Sequence, residues 1–155
     1  MKHLIYMAVL LMATTSLRIA HAGGQEIRTC EFKVKARCES GDASVTLADG
    51  VVTRVEVSVY RCGLPGKLGY SCTIDSSRSD RDSIWSEDGG ATLIDNASPF
   101  NSNEPDRIKV TAGQYVSIDL DKAQSLGRCG VGADLPRAIA IPAQRGACRV
   151  RLGPP

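Results

Sequence analysis

The stretch SVTLADGVVTRVEVSVY, residues 44–60, decides the fold, because its apolar residues recur at every second position. Val51, Val55, Val57 and Val59 are predicted to share one face of a strand, and the residues between them, such as Arg54 and Glu56, the other. β-Branched side chains suit a pleated, half-buried surface. The stretch therefore predicts an amphipathic β-strand.

The same stretch contains a turn signal, Asp49-Gly50, between two apolar segments, which predicts a β-hairpin. A three-residue loop, 48–50, would set Leu47 opposite Val51 and keep one face apolar. A two-residue loop would set Val45 opposite Arg54 and mix the faces. The sequence therefore favours the three-residue loop.

Further strand patterns extend along the chain. CEFKVKARC (30–38) alternates apolar and charged residues, and RIKVTAGQYVSIDL (107–120) predicts a second hairpin that turns at Gly113. DLPRAIAIPAQRGACRVRL (134–152) predicts a short strand, a turn and a last strand. Only residues 119–127 could hold a turn or two of helix. Many strands without a helical period predict an all-β fold, a single antiparallel β-sandwich or small barrel stabilised by disulfides.

The first 22 residues have the pattern of a secretory signal peptide, with Lys2 ahead of an apolar core from Leu4 to Met12 and small residues before Gly23. The apolar run is too short to cross a bilayer. We expect residues 1–22 to be removed and 23–155 to form a single secreted or periplasmic β domain. No membrane span is expected in the mature chain.

Loss of that segment changes the composition of the working protein. Both histidines and all three methionines lie within it. Of the 19 lysines and arginines, Lys2 and Arg18 precede the cut, so the remaining basic residues equal the 17 acidic ones in number. A net charge near zero gives no general attraction to nucleic acid, and no nucleic-acid partner is expected.

All six cysteines remain in the mature chain, and an even number in an exported protein predicts disulfides. A zinc site is not expected, because there is no histidine and no C-x-x-C pair. Cys30 and Cys38 lie about 26 Å apart if they share one strand, so they cannot pair with each other. Cys62 and Cys72 flank a Gly-Pro-Gly turn and are predicted to pair. Cys30 and Cys38 would then join Cys129 and Cys148, in either order.

The segment CGLPGKLGYSC, residues 62–72, has two interpretations. It is either a structural turn or a recognition loop whose exposed anchors are Leu64, Lys67 and Tyr70, since ordering a loop in advance lowers the entropy cost of binding. Trp85, the single tryptophan, is either a core anchor or a binding platform.

Catalytic chemistry is restricted in a histidine-free mature chain. A Ser-His or Cys-His pair is excluded, which leaves a serine–lysine dyad or paired carboxylates such as Asp119 and Asp121. The acidic segment 80–88 offers oxygen ligands for calcium, but it lacks the EF-hand pattern, so a solvated loop is favoured. No catalytic residue, metal or cofactor is predicted.

These patterns together predict an exported protein that binds a macromolecule, a protein or a glycan, and favour an inhibitor or accessory protein of an envelope or extracellular hydrolase. Two alternatives stay open: a small hydrolase that uses carboxylates, and a structural or adhesin-like module of an envelope assembly.

Overall fold

The computed structural model describes residues 24–35, 38–63, 69–96, 106–123, 129 and 135–153. This part of the chain is organised almost entirely as strands. In chain order they are β1 (Gln25–Val34), β2 (Glu39–Ala48), β3 (Val51–Arg61), β4 (Tyr70–Ser77), β5 (Ser83–Asp88), β6 (Ala91–Asn96), β7 (Asp106–Thr111), β8 (Tyr115–Asp119), β9 (Ala138–Pro142), β10 (Gly146–Ala147) and β11 (Arg149–Arg151). The predicted all-β class is confirmed.

Two sheets contain these strands. One has the order β10-β1-β2-β3-β4 and the other the order β11-β9-β8-β7-β6-β5. Every described pairing is antiparallel except β1 with β10, which is parallel. Each sheet buries one face in a shared core, as expected of a β-sandwich. The largest fully buried side chains are Ile74, Ile94, Ile108, Ile118, Ile139, Ile141, Val45, Val52, Val55, Val57, Val59 and Val110.

The first strand lies earlier in the sequence than predicted. β1 begins at Gln25 and ends at Val34, and Cys38 lies in a turn with a φ of 49° instead of continuing the strand. The predicted alternation is present within β1, since Cys30 and Phe32 are buried and Glu31 and Lys33 are exposed.

The predicted three-residue loop of the β2–β3 hairpin is wrong. Ala48 pairs with Val51 across a two-residue turn, in which Asp49 and Gly50 have φ values of 52° and 78°. That combination of positive φ values is typical of the tight turns that match strand twist. Val51 is consequently exposed, and Val52 faces the core in its place.

A β-bulge then restores the apolar face of the hairpin. The register shifts between Thr46 and Leu47, after which Val45 pairs with Val55. A bulge places two residues of one strand against one of the other. The sequence argument rejected the two-residue turn because it assumed an uninterrupted ladder.

The second predicted hairpin is confirmed. β7 and β8 pair around a turn at residues 112–114, and their inward residues Ile108, Val110, Val116 and Ile118 are all buried. Of the segment proposed for a helical turn, Asp119 ends β8 and residues 124–128 lie outside the described part.

The last predicted strand is divided between the two sheets. Gly146 and Ala147 pair with β1 in the first sheet, whereas Arg149–Arg151 pair with β9 in the second. Cys148 lies at the crossing, and its amide donates a hydrogen bond to the carbonyl oxygen of Glu31 (2.9 Å). The C-terminal segment therefore joins the sheets at one side of the sandwich.

All six cysteines form disulfides, but the predicted Cys62–Cys72 pair is wrong. The bonds join Cys30 to Cys148, Cys38 to Cys62 and Cys72 to Cys129, with Cα–Cα distances of 5.2, 5.7 and 4.9 Å. Cys72 pairs with Val59 of β3, and Val59 precedes Cys62 by three residues. That offset is about 10 Å along a strand, which is beyond the reach of a disulfide. The exclusion of a Cys30–Cys38 bond is confirmed.

Three disulfides are compatible with an oxidising, extracellular location. Among the described residues, there is no helix of the length and apolar character needed to cross a membrane. The expected signal segment, residues 1–22, lies outside the described part of the chain.

Candidate functional site

The first candidate site is the base of the 62–72 loop. Its predicted anchors Leu64 and Lys67 lie outside the described residues. At the first end of the loop, Cys62 forms a disulfide with Cys38, and its amide donates a hydrogen bond to the Cys38 carbonyl oxygen (3.1 Å). The first end of the loop is therefore fixed to the neighbouring end of β2, and no disulfide joins its two ends.

An ion pair reinforces this base. The guanidinium of Arg61 lies 3.0 Å from the carboxylate of Glu39, whose side chain is 1% exposed. A buried carboxylate without such a partner would be strongly destabilising. Tyr70, half-buried at the start of β4, packs against the core with the Arg61 guanidinium 5.4 Å from its ring centre. Tyr70 therefore belongs to the support of the loop.

Trp85 is half-buried in β5 and packs against the core. Arg78 lies 5.1 Å from its ring centre, donates a hydrogen bond to the Val52 carbonyl oxygen (2.7 Å) and pairs with Glu87. Arg78 thus links the two sheets where the chain passes from β4 to β5. Trp85 and Tyr70 lie in or beside different sheets, and no described contact joins them.

The acidic segment 80–88 is occupied by contacts within the protein. The Asp80 carboxylate accepts a hydrogen bond from the Ser77 amide (2.8 Å), and Glu87 accepts one from the Thr92 hydroxyl (2.9 Å) as well as pairing with Arg78. Within the described ranges, no three potential metal ligands converge. Asp80 and Glu87 are therefore engaged in contacts that hold the turn and the strands.

The paired carboxylates Asp119 and Asp121 also hold local structure. Asp119 accepts a hydrogen bond from the Asp121 amide (2.9 Å), which fixes the turn after β8. Asp121 lies 2.9 Å from Arg151 and 3.5 Å from Arg137, so it connects this turn to the C-terminal strands. Both side chains serve as anchors, and we assign them no catalytic role.

Cross-strand ion pairs cover parts of both outer faces. Asp75 accepts two hydrogen bonds from Arg54 (2.9 and 2.6 Å), and these bonds hold the pKa of the Asp75 carboxyl below its usual value. Arg107 and Asp95 form a similar two-pronged pair (2.5 and 2.7 Å), whose hydrogen bonds raise the pKa of Arg107. Paired charges of this kind neutralise each other.

A groove of about 1180 Å³ lies between β1 and the C-terminal segment. We call it the β1 groove. Phe32 and Val34 of the first sheet and Val150 and Leu152 at the edge of the second supply its apolar lining. The disulfide between Cys30 and Cys148 spans it and fixes the two sides relative to each other.

The charged lining of the β1 groove has more cations than anions. Lys33, Lys35 and Arg145 line it together with Glu31 and Asp42. All five are exposed. No ion pair is described for Lys33 or Lys35, unlike the arginines of the outer faces. The groove therefore combines an apolar floor with exposed ammonium groups.

No family model, curated protein or solved structure matches this chain. Its function has to be inferred from the chemistry of its own surfaces.

The sequence predictions missed the β1 groove. The alternation in EFKVK, 31–35, correctly separates apolar Phe32 and Val34 from Lys33 and Lys35. What the pattern could not reveal is that β10 covers only part of β1, because that depends on where the C-terminal segment changes sheets. The short spacing between Pro142, Gly146 and Cys148 is the one sequence signal that this strand is brief.

Proposed function

We propose that this protein is an exported binding protein that recognises a macromolecular partner through the β1 groove, as an inhibitor or accessory protein of an extracellular or envelope hydrolase. The observation that carries the proposal is the groove itself. It places apolar side chains and unpaired ammonium groups together on a scaffold fastened by a disulfide.

The shape of the groove favours a polymer segment over a small molecule. Small-molecule sites are usually enclosed and mostly below about 1000 Å³. The β1 groove is larger and extends from Thr29 to Lys35 along one strand. A partner that lies along it would cover the partly exposed Val34, Val150 and Leu152 without needing a closed cavity.

The rigidity of the scaffold supports the same proposal. A surface that is already ordered loses less conformational entropy on binding. Strand pairing, a buried core and three disulfides fix both sides of the groove before a partner arrives. Inhibitors and accessory proteins depend on such preformed surfaces, whereas the carboxylates considered for hydrolysis are engaged in structural contacts.

Site-specific photo-crosslinking tests the proposal. A photoreactive amino acid at Val34 should give one covalent adduct with a protein of the exported fraction, and the same residue at Lys109, on the outer face of β7, should give none. Excess parent protein without the photoreactive group should compete for the partner and suppress the adduct. The same excess of the Val34→Asp variant should not suppress it. The purified partner should be a hydrolase whose rate changes when the mature protein is added.

A third crosslinking position, Lys67, distinguishes binding through the β1 groove from binding through the 62–72 loop. If the adduct forms from Lys67 and not from Val34, the 62–72 loop is the recognition element and the groove proposal is wrong. Equal labelling from Val34 and Lys109 would contradict both, because it would show no defined binding surface.

A further inference from the structure

The edge of β1 is only partly covered by another strand. β10 pairs with it at two positions, Cys30 with Gly146 and Glu31 with Ala147. Cys148 then donates to the Glu31 carbonyl oxygen (2.9 Å), and the chain leaves for the second sheet. Within the described part of the chain, no strand pairs with the remainder of β1 on that side.

The direction of the Lys33 backbone follows from this hydrogen bond. Glu31 directs its carbonyl away from β2, and in an antiparallel pair alternate residues direct their backbone groups to the same side. Lys33, two residues later, therefore directs its N–H and C=O away from β2 and into the β1 groove. An exposed edge of this kind is a template for an additional strand.

The side chains around this edge determine which side chains an added strand needs on each of its two faces. Phe32 and Val34 face the apolar interior of the groove, Lys33 between them is exposed, and Lys35 is exposed directly after the end of β1. A strand beside β1 alternates in the same way, so one set of its side chains would enter the groove and the other would lie beside the two lysines. Glu31 and Asp42 pair with each other farther along the ladder, beside the part that β10 already covers.

We propose that an extended segment of the protein partner adds to the first sheet beside Lys33, with apolar side chains in the β1 groove and carboxylates next to Lys33 and Lys35. This inference rests on the proposed function and specifies its partner. Main-chain hydrogen bonds supply affinity in such strand addition, and the alternating side chains supply specificity. Charge complementarity selects a segment that alternates apolar and acidic residues.

The probe is a capped peptide of about eight residues that alternates valine and glutamate, long enough to span the uncovered edge. Its binding to the mature, oxidised protein is measured by fluorescence anisotropy. Two further peptides carry N-methyl groups, one on all valine amides and the other on all glutamate amides. Each removes the N–H donors of one edge of the peptide strand and leaves the side chains unchanged.

Strand addition requires these two peptides to differ. One of them should bind at least about fivefold more weakly than the parent peptide, since the hydrogen bond to the Lys33 carbonyl oxygen, worth about 1 kcal/mol, is lost. The other should bind within about twofold. Equal binding of all three peptides would overturn the inference, because it would show that only side chains are recognised.

Charge reversal gives the second arm. The variant with Lys33→Glu and Lys35→Glu should weaken peptide binding by at least about tenfold, and the matched control with Lys109→Glu and Lys122→Glu should not. Light scattering on the protein alone is the third arm. A dimer that the peptide dissociates would overturn the inference in favour of a second copy as occupant.

Failure of this inference is distinguishable from failure of the proposed function. A peptide that does not bind, together with a Val34 adduct that the double lysine variant still forms, would reject strand addition and leave the groove as the binding surface. Loss of both peptide binding and the Val34 adduct would reject strand addition and would also reject the groove as the binding surface.

Discussion

Replacement of Gly41 by alanine should destabilise the protein strongly. Gly41 in β2 is the cross-strand partner of Phe32, whose ring lies over it. An added Cβ would lie 2.6 Å from Phe32 Cζ and 2.9 Å from Cε1, and closer still to the backbone carbonyl oxygen of Ser58 in β3. Favourable carbon contacts occur at about 3.5 Å, so the ring and a neighbouring strand both have to move.

The expected loss follows from those two displacements. Overpacking a well-packed site costs about 1–3 kcal/mol, and separation of β2 from β3 at this point weakens about one ladder hydrogen bond, worth about 1 kcal/mol. Gly41→Ala should therefore lower the free energy of unfolding by about 2–4 kcal/mol. Reversible urea unfolding, followed by the fluorescence of Trp85, measures this change.

Gly113→Ala is the matched control, because its nearest atom beyond the adjacent residues is the Tyr115 carbonyl oxygen at 3.6 Å. It should change the free energy of unfolding by no more than about 0.5 kcal/mol. Adding Phe32→Leu to Gly41→Ala should recover part of the loss, since the ring contact disappears. Equal effects of the two glycine substitutions would refute the packing argument.

Other expectations concern disulfides, pH and processing. Removal of the Cys30–Cys148 bond should lower the free energy of unfolding by about 1.4 kcal/mol more than removal of the Cys38–Cys62 bond, because the two bonds span 118 and 24 residues. Urea unfolding of the two double-alanine variants compares them. A reversed order would contradict this chain-entropy argument. The lowered pKa of Asp75 contributes stability that is present above about pH 4 and is lost as the pH falls through that lowered pKa. In thermal unfolding, Asp75→Asn should therefore be less stable than the parent at pH 7, and the difference in melting temperature should shrink below about pH 4. A difference that stays constant with pH would show that the Asp75 charge does not contribute to stability. N-terminal sequencing of exported protein should begin at or near Gly23, and an intact Met1 there would disprove the signal prediction.

Periodicity predicted the strands well because burial on one face imposes it on the sequence. The alternation along β3 and β8 identifies nearly every inward residue. Register was harder, since a single bulge shifts all pairings beyond it. The sequence contains no residue that marks this bulge unambiguously, and Val51 and Val52 are equally suited to the core.

The disulfide error arose because the prediction paired Cys62 with Cys72 across the Gly-Pro-Gly turn and did not consider which residues meet at the end of the β2–β3 hairpin. Cys38 and Cys62 lie at equal distances along the chain from Gly50, and the observed register of β2 and β3 brings them together at the open end of the hairpin. The β1 groove depends on a longer-range feature still, the parallel pairing of β10 with β1, which no local pattern in either segment specifies.

The order of the disulfides has a consequence for how the protein matures. If the cysteines were oxidised in the sequence in which they enter an exported compartment, Cys30 would bond to Cys38, Cys62 to Cys72 and Cys129 to Cys148. None of those three bonds is native. The N-terminal strand receives its own partner only when Cys148, close to the end of the chain, has arrived. If the protein is exported as we propose, the native set is complete only after Cys148 has arrived, and bonds formed earlier between consecutive cysteines have to be exchanged. The yield of folded protein should then depend on a disulfide isomerase as much as on an oxidant.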